Sequence, residues 1–241
     1  MTQKIALVTG ATRGIGFETV RQLAQQGAHV VLAGRDNAKA VEAALKLQGE
    51  GLAVEAIVLD VVDEASIAAA VKQVAAKHGH LDILVNNAGV LTDDTSKKPS
   101  EQSLSTWHKT FDTNVFGLVA VTQAFLPLLK KSDAGRIVNV SSILGSIELH
   151  NDPKSVIYDY KIPAYNVSKS AVNAWTVQLA HELRDTQIKV NTIHPGSVKT
   201  DMNAAGSIDV EEGAKSSVEL ALIGNAGPNG SFSHLGQTLP W

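Results

Sequence analysis

Short apolar runs alternate with amphipathic stretches along most of this chain. Ile5 to Thr9 has no polar alternation, as expected for a strand covered on both faces. Gly10 to Gly14 reads as a turn. Ile15 to Gln26 sets Val20, Leu23 and Ala24 at helical spacing, and Gly27 is a helix stop. The same rhythm predicts further strands at His29–Ala33, Ala53–Leu59, Leu81–Val85, Gly135–Val140 and Gln187–Ile193. It predicts helices at Asn37–Gln48, at Glu64–His78 (closed by Gly79), as one long helix at Ser103–Lys130, and around Tyr165. Six strands alternating with helices specify a parallel sheet with right-handed crossovers and helices on both faces. The expected architecture is therefore α/β, a Rossmann-type doubly wound sheet, in one domain over residues 1–241. Two segments interrupt the rhythm. Ile143 to Pro163 is long, mixed in character, and turns at Asn151-Asp152-Pro153. The region 201–225 begins as a loop, Asp201 to Ile208, and continues into a helix that Asp209 can cap with Glu212 as its box partner. With the polar loop Leu91–Gln102, these are the stretches expected to shape a binding crevice at the carboxyl ends of the strands.

The strand-to-helix turn Thr9-Gly10-Ala11-Thr12-Arg13-Gly14-Ile15-Gly16 carries the first candidate chemistry. Its glycines allow a tight turn and close approach of a ligand, and the N–H groups at the helix start point at an anion. The spacing is not G-x-G-x-x-G, and no Lys-Ser/Thr pair follows as in a P-loop. Its position in a parallel α/β chain still favours a nucleotide site. The second strand ends at Gly34-Arg35-Asp36. An acid here suits the ribose 2′-OH of NAD, and an arginine suits the 2′-phosphate of NADP. Arg13 and Arg35 together favour NADPH/NADP, with Asp36 as a solvated neighbour. Further along, Tyr165 and Lys169 are four apart, so a phenol and an ammonium share one helix face. A free phenol ionises near ~10. A nearby cation lowers that value and brings proton exchange toward neutral pH. Tyr158 and Tyr160 are followed four residues on by Ile162 and Ala164, so only Tyr165 has its lysine.

Composition narrows the classes. The formal net charge of −3 gives no reason to expect a nucleic-acid or anionic-membrane partner. There is no cysteine, which removes disulfides and thiolate chemistry and fits a cytoplasmic setting. Met1 to Gly10 lacks the features of a signal peptide, and Val115–Leu129 is too short and too interrupted to span a bilayer. The eight histidines show no metal-ligand spacing. His78 and His80, flanking Gly79, are expected to be solvated, and no metal is expected. Ser142 has no G-x-S-x-G elbow around it, so a hydrolase nucleophile is a poor reading.

Taken together, the Thr9–Gly16 turn, Asp60-Val61, Asn86-Asn87-Ala88-Gly89, Asn114, Ser142, Tyr165-x-x-x-Lys169 and Pro195-Gly196-x-x-x-Thr200 resemble the short-chain dehydrogenases/reductases. The resemblance runs from Lys4 to about Thr200. The tail, with Glu212-Gly213-Ala214, Gly227–Phe232 and Leu239-Pro240-Trp241, is similar to the NADPH-dependent carbonyl reductase branch. The resemblance implies that Tyr165 is the acid/base, that Lys169 lowers its pKa and holds the nicotinamide ribose, that Ser142 polarises a carbonyl, and that Asn114 extends a proton relay through water. It implies cofactor contacts from Gly10, Thr12, Arg13, Gly14, Ile15, Gly16 and Arg35. Asp60 and Val61 would hold the adenine, Asn87, Ala88 and Gly89 the adenosine side, and Pro195, Val198 and Thr200 the carboxamide. The implied partner is a small carbonyl or alcohol substrate. A carrier-protein or steroid reductase and a non-catalytic NADP(H) sensor are the alternatives. The serine-to-tyrosine gap exceeds the usual dozen residues. Carbonyl reductases with such an insertion are often monomers, so a monomer is expected here, with a homo-oligomer as the alternative.

Overall fold

The computed structural model describes residues 3–241. In chain order its elements are β1 (Ile5–Val8), α1 (Gly14–Gln25), β2 (His29–Gly34), α2 (Asn37–Gly49), β3 (Val54–Val58), α3 (Glu64–His78) and β4 (Ile83–Asn86). These are followed by α4 (Leu104–Phe111), α5 (Leu118–Leu129), β5 (Arg136–Val140), α6 (Ile147–Asn151), α7 (Pro163–Glu182), β6 (Lys189–Ile193), α8 (Val210–Ala221), β7 (Phe232–His234) and β8 (Gln237–Thr238). One sheet holds the strands in the order β3-β2-β1-β4-β5-β6-β7-β8. It is parallel up to β7, and β8 pairs antiparallel to β7. The chain winds outward from β1 to β3, then restarts at β4 on the other side. This reversal between β1 and β4 opens a crevice at the carboxyl ends of the strands.

The lack of polar alternation in β1 has a direct cause, because both faces of the sheet are covered. Ile5 and Leu7 enter the core shared with α3, α5 and α7. Ala6 and Val8 enter the core shared with α1, α2 and α8. All six predicted strands are present. The two tail strands β7 and β8 were not predicted, because runs of three and two residues are too short to show a period.

The helix expected over Ser103–Lys130 is continuous but not uniform. It widens into a π turn at Asp112–Gly117 between α4 and α5. Insertions of this kind collect at functional sites, and this one carries Asn114. The run Leu104–Leu129 is long and apolar enough to cross a membrane by length and composition. Its apolar positions Val121, Phe125, Leu128 and Leu129 are instead buried in the core. The cap predicted at Asp209 is formed, with Glu212 N–H donating to its carboxylate at 2.9 Å. The Glu212 side chain completes no box and pairs with Lys215.

Candidate active site

β1 delivers the chain to the glycine turn, and two positions there require glycine. Gly10 has φ 62° and Gly14 has φ 59°. A Cβ on Gly10 would also lie 2.8 Å from the Cα of Ala88. The turn after β4 is tied against it. Asn87 Nδ2 donates to the carbonyls of Thr9 and Gly10 at 2.9 and 3.1 Å. Asn87 and Ala88 N–H both donate to Thr9 Oγ1. Thr9 thus couples the two turns, a role its place at the end of an apolar run did not reveal. At the start of α1, Arg13 offers no side-chain cap and the first turn has no acid. The free N–H groups of that turn therefore open on the cleft, which suits an anion.

The cleft measures about 510 Å³ and runs from Gly10–Gly16 and Arg35 past Asp60 and Asn87–Gly89 to Tyr165 and Lys169, with Pro195 and Thr200 on its far wall. Most of the residues picked from the sequence are therefore brought together. Asp36 is exposed, as a solvated neighbour should be, and its carboxylate also caps α2 by accepting from Lys39 N–H at 3.1 Å. That leaves Arg35, which is exposed, as the side chain presented to the cleft at the end of β2. Other residues stand differently than expected. Arg13 pairs with Asp201 at 2.6 Å, a surface bridge between the glycine turn and the 201–225 region. The side chain of Val198 is buried beneath its loop, against Gly213, and does not line the cleft. Asn114 is buried beneath the wall. It accepts from Val90 N–H at 2.8 Å and donates to Val90 O and to Ser168 Oγ.

Helix α7 presents Tyr165 and Lys169. Pro163 opens it, and the first turn lacks a local side-chain cap. The cap comes from the loop after β4, where the two oxygens of Asp93 accept from Ala164 N–H at 2.8 Å and Tyr165 N–H at 3.0 Å. No local pattern announces this cap, since the two partners lie about seventy residues apart. Lys169 is buried and its Nζ donates to Val140 O at 2.8 Å. Ser142 leaves the end of β5 and is buried beside the Tyr165 phenol. Close packing fixes that serine turn on α7, because a Cβ on Gly145 would lie 2.7 Å from the carbonyl carbon of Lys169.

The electrostatics correct one expectation. Loss of hydration pushes the Tyr165 phenol up to about 12, and contact with Ser142 only partly offsets this. Burial pulls Lys169 down to about 8. The ammonium is turned to the Val140 carbonyl and lies 5.6 Å from the centre of the phenol ring. In the protein alone, burial dominates and the phenol holds its proton. Tyr158 and Tyr160, the neighbours that lack a lysine, are exposed. His194, ahead of Pro195, is buried and pushed down to about 4 by burial and by His234. His78 is not solvated as expected, and its side chain is nine-tenths buried.

The fold and cleft together define an oxidoreductase of the dinucleotide-binding α/β class. The chain belongs to the short-chain dehydrogenase family, whose model matches residues 4–210. It is 36% identical to a (+)-neomenthol dehydrogenase of Arabidopsis thaliana, with 96% of each chain covered. It is 34% identical to a (−)-isopiperitenone reductase of Mentha piperita, with 95% of this chain and 96% of that one covered. Among solved structures it resembles an NADPH-bound carbonyl reductase from chicken fatty liver, with a TM-score of 0.87, 29% identity and complete coverage of both chains. The alignment to the Arabidopsis relative extends over 285 positions, more than the 241 residues present here. That relative therefore carries inserted residues that this chain lacks.

Proposed function

We propose that the protein reduces a ketone or aldehyde to an alcohol with NADPH, reversibly. The observation that carries this reading is the meeting of Tyr165, Ser142 and Lys169 beside a glycine turn that fits a dinucleotide phosphate. The α1 N-terminus and the turn at Gly10–Gly16 would hold the pyrophosphate, Asp60 and Asn87–Gly89 the adenosine, and Pro195 and Thr200 the carboxamide end. Arg35, freed of Asp36, supports NADPH over NADH. When bound, the nicotinamide supplies hydride to the carbonyl carbon. Ser142 Oγ donates a hydrogen bond to the carbonyl oxygen and orients it. Tyr165, kept neutral by burial, gives its proton to that oxygen as negative charge develops there. Lys169 stands between the Tyr165 ring and the floor at Gly89, where its charge would stabilise the phenolate left when the proton is given up. The relatives are named for neomenthol and isopiperitenone, and the chicken protein is a carbonyl reductase, which supports a small-molecule substrate. A sensor that does no chemistry would have no use for the proton donor.

Tyr165→Phe is expected to keep NADPH affinity and to lower kcat for carbonyl reduction by about 10²- to 10⁴-fold, the usual weight of a general acid. Fluorescence titration of NADPH and initial rates on a panel of aldehydes, ketones and ketoesters check both halves. Turnover at the wild-type rate would remove Tyr165 from the acid role.

A further inference from the structure

A second cluster of ligating side chains lies at the opposite edge of the sheet, at the amino ends of β2 and β3. Alternate residues of a strand share a face. Val31 and Ala33 of β2 face the core of α3, α5 and α7, so His29 points the same way. Val31 pairs in register with Glu55, which places Glu55 on that face beside His29. Helix α3 runs back over this face and ends at His78. Glu55 Oε1 consequently lies 3.2 Å from His29 Nε2 and 2.5 Å from His78 Nε2. All three ligand atoms lie within 4.8 Å of one another.

Two details separate this cluster from an ordinary ion pair. His29 Nε2 is buried and makes no aligned hydrogen bond, although the carboxylate oxygen is close. The two imidazoles are tilted by 48° with centres 5.0 Å apart, so their nitrogens converge without the rings stacking. Ligand atoms on a tetrahedral zinc ion, with bonds of about 2.0–2.2 Å, sit roughly 3.3–3.6 Å apart. The two spacings to Glu55 Oε1, 3.2 and 2.5 Å, are shorter than that range, so the carboxylate would draw back from the imidazoles to seat an ion between the three groups.

We propose that His29 Nε2, Glu55 Oε1 and His78 Nε2 form a binding site for a divalent transition-metal ion of the zinc type. Two imidazoles and one carboxylate suit zinc, cobalt or nickel far better than calcium or magnesium. Three protein ligands leave a fourth position for water. The site ties β2, β3 and the end of α3 together on the side of the sheet away from the cofactor cleft, so its role is structural. Lys77 pairs with the other oxygen of Glu55 and leaves Oε1 available. Its positive charge opposes a bound cation.

Cobalt(II) titration of the untagged, chelator-treated protein, followed by visible absorption, tests the assignment. One equivalent with a tetrahedral-type band is expected. His29→Ala and His78→Ala should each weaken binding by about 100-fold, whereas Lys77→Gln, which keeps all three ligands, should tighten it. Zinc in excess should raise the Tm of the wild type by about 5 to 10 °C and leave His78→Ala unmoved. Carbonyl reduction should be unchanged in every variant. Failure of the wild type to take up one saturable equivalent would overturn the proposal. Binding that survives both histidine substitutions would do the same by placing the metal elsewhere, for example at the His194–His234 pair. Weaker binding in Lys77→Gln would also overturn it, leaving Glu55 as the centre of an ion pair only.

Discussion

At the scale of single residues, hydration decides how the Tyr165–Lys169 pair behaves. Spacing places the two groups on one face, but spacing cannot report how much water each retains. Lys169, held at about 8 against an ordinary 10.5, leaves a window in which the unfolded chain binds a proton that the folded chain does not. Stability from this group is therefore present above about pH 10.5 and lost as pH falls through about 8. Tyr165 acts in the opposite sense, since its contribution is present below its ordinary 10.0 and lost as pH rises through about 12. Lys169→Met should remove the first effect, so calorimetry should find wild type gaining on the variant between pH 7.5 and 10. A difference in Tm that stays flat over that range would show that the ammonium is not desolvated. Arg35→Ala should raise the Kd for NADPH about 10- to 100-fold, the value of lost charge-assisted bonds, and leave NADH nearly unchanged. Equal losses for both cofactors, by fluorescence titration, would place Arg35 away from the 2′-phosphate.

At the scale of elements, the aim of α7 depends on residues outside it. Asp93 closes its first turn, and the 143–145 turn is packed on it at Lys169. Capping by an acid satisfies two N–H groups and favours the helix dipole. Asp93→Ala should cost about 1 to 2 kcal/mol of stability, read from denaturant midpoints. It should also lower kcat while leaving the KM for NADPH unchanged, because it shifts the turn that carries Tyr165 and not the glycine turn. Asp93→Asn, which keeps one acceptor oxygen, should recover part of both. A loss of stability with unchanged kcat would mark Asp93 as a cap without influence on the chemistry.

At the scale of the whole molecule, the insertion is tied to the start of α7, where Asn166 Nδ2 donates to Tyr160 O at 2.7 Å. It also meets the chain end, since Ser146 Oγ and Glu148 N–H donate to Trp241 O. The rest of the helix layer is less covered, with Phe116, Val167 and Val177 exposed. We expect a monomer, with one-chain mass in light scattering at micromolar concentration. A mass of two or four chains would mean that these apolar positions close an interface the insertion leaves open.

Much of the fold could be read from the chain because a two-sided parallel sheet demands unbroken apolar runs, and helices demand their own period and stops. The glycine turn was legible because a backbone that must turn with positive φ excludes other residues. Tyr165 stood out from Tyr158 and Tyr160 because helix geometry makes a four-residue spacing a contact. These are local requirements, and sequence expresses them locally. What only the tertiary structure decided depends on pairs far apart along the chain. Asp93 meets Ala164 and Tyr165, Thr9 meets Asn87, Arg13 meets Asp201, and His29 meets Glu55 and His78. The π turn at Asn114 likewise answers to Val90 and Ser168. Burial belongs to the same class. Whether Tyr165 is a ready acid or a reluctant one depends on the water removed around it, a property of the packed molecule that no spacing of residues records.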